Sequence, residues 1–536
     1  MTSQHTPLEA SITAARLGQF ADGPSFQSLA AQPWDAIVVG AGHNGLTAAA
    51  FLAMARQKVL VLESRHRVGG AATIAEPFPG YKMGPCAYLA GLLHQTVIDE
   101  LQLVRRGFHW TPALSGMFVP FADGRSIQLW DDDDRCNDEI RRFAPRDLAG
   151  FQAMSALKAR VRDRLRPAGP DDLWLDPAPT REKIDDRLGN DPLARKLMFE
   201  WSMAEMLDHF LTDDHLRIAQ LGQGVIGTNA SPLDPGTASV HFHHASGRMG
   251  GMAGQWGYVR GGMGMTSFLI ADAALEAGVT IKTGAPVAEI EPGSGVILEC
   301  GTKIKSTHVV CNADPKVALK LLGKNVDQAW AARVNAVPIR GCTVKCNVGL
   351  REMPNFLARP GTFEDHHRGQ VNTPLDHAGW QASFAAMRRG ELPEHIWTEL
   401  YFQSAHDASV APAGRHTMSV FAQYVPDVFA DGSSWDDNRQ KVQERVIGTI
   451  ARFCSNLPDA IEHIQVLGPP DIEREVGLTG GHIFQGECLP QFMWENRLTT
   501  RTPMPGFYLC GAATHPGGSV IGVNGRNAAM AVLGRA

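Results

Sequence analysis

The stretch from Asp35 to Thr73, DAIVVGAGHNGLTAAAFLAMARQKVLVLESRHRVGGAAT, admits few backbones. Ala36, Ile37, Val38 and Val39 form an apolar run without polar alternation, as expected of a parallel strand covered on both faces. Gly40-x-Gly42-x-x-Gly45 comes at once. In such a turn the first glycine permits the tight reversal, the second lets a pyrophosphate approach the backbone, and the third lets the following helix pack on the strand. Leu46 to Arg56 is alanine-rich and a good helix former, and its N-terminus presents free amide N–H groups and a positive dipole end to an anion. A second apolar run, Lys58 to Leu62, ends at Glu63, about 20 residues after the glycines, where a carboxylate accepts hydrogen bonds from ribose hydroxyls. Strand, turn, helix, strand and acid in that order make a dinucleotide-binding unit, and the context makes the glycine spacing specific.

Beyond Glu63, Arg67-Val68-Gly69-Gly70-Ala71-Ala72-Thr73 adds a glycine pair where backbone runs past a second part of a dinucleotide. The chain has 536 residues, more than one hydrophobic core serves, so two domains are expected. A net charge of -6 and 20% charged residues give no sign of a nucleic-acid partner. The 9 cysteines are odd in number, contain no Cys-x-x-Cys pair and often fall in apolar runs, which argues for reduced thiols and against a disulfide reductase. No basic start precedes an apolar core near the N-terminus and no stretch reaches transmembrane length, so a cytoplasmic protein is expected, with peripheral membrane contact left open.

Residues 1–32 read as a flexible extension. Helix over 93–103, a hairpin around Asp123-Gly124 and a helical passage from Asp147 to about Val225 come next, and short strands between 279 and 311 return to the nucleotide-binding sheet. Strands at 342–350 and 416–424 with a helix near 438–453 suggest a second sheet. Gly222-x-Gly224-x-x-Gly227 repeats the first spacing, but its upstream neighbours are helical, and Pro232 and Pro235 interrupt the helix that a nucleotide turn would need after it. It is therefore read as no nucleotide site. A zinc reading of His241-Phe242-His243-His244 needs a ligand set and a defined secondary structure that the sequence does not show, and the segment is read as hydrogen-bonded or substrate-facing; no metal is expected. Asp314 and Pro315 open a helix as N-cap and first-turn proline. The glycines of Arg260 to Gly264 are expected to bring backbone close to a flat ligand.

The closing segment is the second strong signal. Phe507 to Cys510 is a buried-type strand, and GAATHPGGSVIGVNGRNA, Gly511 to Ala528, leads into an alanine-rich helix. Together with GAGHNG (Gly40 to Gly45), GGAAT (Gly69 to Thr73), RGGMG (Arg260 to Gly264), APAGRHT (Ala411 to Thr417) and GGHIF (Gly480 to Phe484), it resembles the phytoene desaturase-related flavoproteins of the amine oxidase superfamily. Within them it is most similar to the branch of pyridine nucleotide-disulfide oxidoreductase domain-containing protein 2 and the O-type carotene ketolases. The resemblance runs from about residue 33 onward and is only an outline over roughly 150–240.

It implies an α/β protein in which a Rossmann-like FAD-binding domain is interleaved with a substrate domain of mixed sheet and helices. The expected divisions are 33–110, 255–325 and 480–536 for the former, and 111–254 and 326–479 for the latter. The residues it assigns to FAD are Gly40, Gly42, Asn44, Gly45, Glu63, Ser64, Gly69, Gly70, Ala71, Val287, Gly511, Gly518 and Ile521, with the flavin ring expected between Thr514–Gly522 and the substrate domain. His515 is the one catalytic candidate. The function implied is removal of hydride from, or desaturation of, an extended, apolar small molecule. Flavin-dependent amine oxidation and a flavin-binding regulator with little turnover remain alternatives. The residues leave the oligomeric state open.

Overall fold

The computed structural model describes residue 20 and residues 23–113, 115–361 and 363–535. Its first sheet grows around Trp34–Val39, flanked in parallel by Val59–Leu62 on one side and Lys303–Cys311 on the other. Thr280–Lys282 and Phe507–Leu509 extend the two edges, also in parallel. Numbered along the chain, the five parallel strands lie in the order 3-2-1-4-5 of a dinucleotide-binding fold. The absence of alternation in the first strand has its cause here: Ala36 and Val38 face one apolar layer, Ile37 and Val39 the other. The first layer is made by the helices His43–Met54, Met265–Glu276 and Val523–Val532. The second contains the antiparallel strands Val287–Glu291 and Gly295–Leu298 and the helix Pro315–Leu322, capped by Asp314 as its sequence suggests.

The second sheet has seven strands in the spatial order Ile461–Leu467, Thr343–Leu350, His416–Gln423, Trp397–Tyr401, Gln370–Thr373, Met117–Pro120, Ser126–Leu129. All neighbours are antiparallel except Gln370–Thr373 beside Met117–Pro120. One face carries Val344, Cys346, Val348, Val420 and Leu400 against Val442, Val446 and Ile450 of the helix Trp435–Ala451. The other carries Lys345, Phe421 and Glu399 side by side, because Lys345 pairs with Phe421 and Phe421 with Glu399 in register. Helices from Leu148 to Phe210 pack beside that second face through Trp397 and Phe421.

Segments of the two sheets alternate along the chain. In the expected extension, residues 1–19, 21 and 22 lie outside the described residues. Phe26–Ala30 is a short helix, capped by the Ser25 hydroxyl, that buries Leu29 against the first sheet, so this part is not the unpatterned lead expected from the sequence. Among the described residues no helix is long and apolar enough to cross a membrane.

Candidate active site

Gly40 takes φ +97°, a conformation glycine reaches without strain, and this turns the chain from the first strand into the helix His43–Met54. A Cβ at Gly45 would lie 2.2 Å from the Gly40 carbonyl oxygen, so the third glycine is fixed by contact between helix and turn. Glu63 ends the second strand and is buried; its Oε2 accepts from the Ala41 amide at 2.8 Å and its Oε1 from the Arg65 amide at 3.0 Å. The Gly69 amide donates to the Ala41 carbonyl at 2.8 Å, and Gly70 stands over Gly42, so the glycine pair is laid along the first turn.

These residues open into a cavity of about 440 Å³. At one end it is lined by Gly40, Gly42, Asn44, Glu63, Ser64, Gly70 and Ala71. At the other its floor is the polar face of the second sheet, with Thr343, Lys345, Gln370, Glu399, Tyr401 and Phe421. The walls between are Tyr88, Leu89, Ile226, His244, Trp256, Ile483, Phe484 and Val520. Asn312, Asp314 and Gln485 also line it, unmarked by the sequence as site residues. The structure thus brings the cradle glycines, Glu63 and the double-glycine segment together.

Other sequence-designated residues lie elsewhere. Val287 is packed, partly buried, with Ala313 in the second apolar layer of the parallel sheet and does not line the cavity. Ile521 is buried against Leu92, Trp174 and Val523, and its carbonyl accepts from the His94 amide. Gly511 and Gly518 flank the cavity-lining Ala512, Ser519 and Val520 without lining it themselves. A Cβ on Gly518 would lie 2.5 Å from that of Phe484, so the neighbour this glycine accommodates in the structure is a protein side chain. Gly264 likewise lies against Thr73 and Ile74, bracing the double-glycine segment from behind. His515 does not line the cavity: its Nε2 hydrogen-bonds the Leu173 carbonyl at 2.7 Å, and burial holds its pKa down at about 4. The geometry places it within a turn bonded to Leu173 of the helical region.

Gly222, Gly224 and Gly227 come after the helix Asp214–Ile218 with no strand before them, and a Cβ at Gly222 would lie 2.3 Å from the Trp397 ring. In the histidine cluster, His243 Nε2 bonds the Gly518 carbonyl at 3.1 Å, His241 meets Lys158 Nζ at 3.2 Å, and His244 faces the cavity beside Phe484. Among the described residues no three His, Cys, Asp or Glu side chains are grouped to hold a metal.

Two titratable groups on the floor escape sequence reading. Lys345 is buried, its Nζ 2.6 Å from Asn347 Oδ1, and loss of solvation pulls its pKa from 10.5 to about 7. Glu399 is buried two strands away, and loss of solvation pushes its pKa up to about 7 although Gln223 Nε2 donates to Oε1 at 2.9 Å. Tyr88 and Tyr401 form an aromatic pair over this floor, centroids 5.1 Å apart. The available signal was the strand alternation itself: with Val344, Cys346 and Val348 on the core face, Lys345 and Asn347 must share the opposite one.

The cradle fits a dinucleotide on grounds independent of motif. The helix N-terminus at Gly42 and His43 opens onto the cavity, the Glu63 carboxylate stands at the strand end, and Asn44 Oδ1 is buried beside them with no hydrogen-bond partner among the described residues. A dinucleotide cradle that opens onto the buried polar face of a second sheet fits a protein built around a dinucleotide cofactor, with room beside it for a second ligand. A family model described as flavin containing amine oxidoreductase matches residues 45–356. The chain is 31% identical to pyridine nucleotide-disulfide oxidoreductase domain-containing protein 2 of Rattus norvegicus, covering 93% of each. To the neurosporene-forming phytoene desaturase of Rhodobacter capsulatus it is 27% identical, again covering 93% of each. The crystal structure of an oxidoreductase from Methanosarcina mazei shares the fold at 16% identity, with a TM-score of 0.60 over 93% of this chain and 99% of that one. The chain belongs to the flavin containing amine oxidoreductase family. It is an FAD-dependent oxidoreductase.

Proposed function

We propose that the chain removes hydride from a small molecule whose extended apolar body lies between the closing segment and the floor of the second sheet. The observation that carries this reading is the continuity of one cavity from Gly40, Gly42 and Glu63 to Lys345 and Glu399. Leu89, Ile226, Phe421, Ile483 and Phe484 give that passage an apolar lining suited to such a body. The desaturase relative, named for a polyene product, supports the same substrate class.

In this reading Glu63 accepts from the adenosine ribose. The amide groups at the start of His43–Met54 take the pyrophosphate, and Gly69, Gly70 and Ala71 run beside the chain attached to it. FAD, when bound, supplies the acceptor for a hydride. Tyr88, Trp256 and Phe484 wall the passage and keep water from the reacting carbon. Lys345, poised near neutrality, holds or releases a proton at Nζ. The Tyr88–Tyr401 pair gives flavin-dependent amine oxidation its one specific support. The test is anaerobic addition of polyenes, amines and hydroxylated lipids to the FAD-loaded protein, watched in the flavin absorbance band. Bleaching by a compound with an extended apolar body is expected; a flavin-loaded protein bleached by none of them would overturn the reading.

A further inference from the structure

The apolar walls explain how a hydrocarbon body is held, but the floor is not built for a hydrocarbon throughout. Glu399 is 2% exposed and lines the cavity. Its Oε1 accepts from both Gln223 Nε2 and Gln370 Nε2. Among the described residues its Oε2 has only the Tyr401 hydroxyl, at 3.5 Å, the limit of a hydrogen bond. A carboxylate offers about four lone-pair sites, so this oxygen keeps accepting capacity on the cavity side. Among the described residues no cationic side chain pairs with it: Lys345, on the same face, is separated from it by the intervening Phe421 strand and donates its Nζ to Asn347 Oδ1 and the Cys346 carbonyl. Above about pH 7, where the acid ionises, a hydrocarbon covering Oε2 would exclude water and donate nothing in return, leaving a buried charged oxygen short of a partner.

We propose that Glu399 determines substrate specificity, accepting a hydrogen bond from an amine or hydroxyl group carried by the otherwise apolar substrate. This rests on the functional reading above and narrows it: the molecule is amphipathic, its body against Phe421 and Ile226 and its polar group at Glu399. Gln223 and Gln370 hold the carboxylate by Oε1 and so leave Oε2 for the ligand. Burial, which keeps the acid near neutrality in its titration, fits a group whose charge is stabilised fully only when a donor arrives.

The test uses the FAD-loaded full chain at about pH 8, above the Glu399 pKa of about 7 so that the carboxylate is ionised, and three probes of equal length: n-octane, 1-octanol and n-octylamine, each titrated against the flavin absorbance spectrum. In the wild type the alcohol and the amine are expected to bind about tenfold to a hundredfold more tightly than the alkane, as a hydrogen bond to a charged group predicts. Glu399→Leu should erase that ratio. In Glu399→Gln the single amide oxygen stays with the donors Gln223 and Gln370, which turns the NH2 to the cavity: the alcohol's hydroxyl can accept from it and should keep part of its advantage, while the ammonium of octylamine, a donor only, should lose its own. Equal affinity for alkane and alcohol in the wild type, a ratio unchanged in Glu399→Leu, or no perturbation by any probe would each overturn the proposal. FAD occupancy of the purified protein, read separately, reports on the functional reading, whereas the probe ratio reports on Glu399.

Discussion

Replacing Lys345 by methionine should flatten one limb of the pH–stability profile. The lysine pKa falls from 10.5 in the open chain to about 7 in the folded protein because its ammonium loses water. Between those values the unfolded chain holds more protons than the native one, so stability rises with pH, by up to about 1.4 kcal/mol per pH unit. From about pH 7 to about pH 9 the gain amounts to roughly 2 kcal/mol. Lys345→Met has no proton to lose, keeps most of the volume and should lack that gain. Glu399 works in the adjoining window: its pKa is raised from 4.5 to about 7, so the native state holds the extra proton and stability falls as pH rises across that interval. Lys158, whose pKa burial lowers to about 8, adds to the alkaline limb of both proteins and cancels in their difference, which isolates Lys345. At about 2.1 cal/mol/K of unfolding entropy per residue, a chain of this length gives roughly 1 °C per kcal/mol. Scanning calorimetry of wild type and variant should show their midpoints converging by about 2 °C between pH 7 and pH 9, the variant being the more stable at the lower pH. A midpoint difference independent of pH would mean that Lys345 is solvated or paired with an acid, and the burial argument would be wrong.

The contacts of the cradle and the closing turn set further outcomes. Glu63→Ala should weaken FAD binding about tenfold to a hundredfold, measured by fluorescence titration of the apoprotein, since a charge-assisted hydrogen bond is lost; unchanged affinity would remove Glu63 from the cofactor. Asp172 is buried between Arg166 Nε at 2.6 Å and His94 Nε2 at 3.1 Å, so Asp172→Asn should cost about 3–5 kcal/mol in a denaturation experiment, and a loss under about 1 kcal/mol would show the arginine rehydrated. Gly518→Leu must displace Phe484, a cavity wall, and should reduce FAD occupancy or its rate of reduction; wild-type values in both would separate this turn from the active site. NADPH should give no rapid stoichiometric flavin reduction, and a fast phase abolished by Gly224→Trp would restore the second glycine run as a nucleotide site.

The cradle is legible in the sequence because its constraints are local: a φ of +97° at Gly40, a helix held against the turn at Gly45, and an acid at the end of the second strand all occur within one short unit. The floor is not, because Lys345, Phe421 and Glu399 are assembled by strand pairing between distant segments and share no spacing. The closing segment falls between these cases. Its glycines do signal close approach, but at Gly518 the approaching group is Phe484, and sequence does not disclose which neighbour a missing side chain makes room for. His515 shows the same limit, since the motif brings it near the cofactor-binding elements while its bond to Leu173 turns it away from the cavity.

The pairing of Val309 with Phe507 has a consequence for how the chain comes into being. On the ribosome, the Val309–Cys311 edge emerges about 200 residues before the strand that covers it, and the cradle helix His43–Met54 emerges still longer before the Val523–Val532 helix that packs on it. Over that interval the edge carries unpaired backbone donors and acceptors beside exposed apolar layers, a surface on which strands of other chains can add. A nascent chain of this kind depends on being shielded until Phe507–Leu509 folds back, and a stop before that strand would leave a cofactor cradle with an open, adhesive flank.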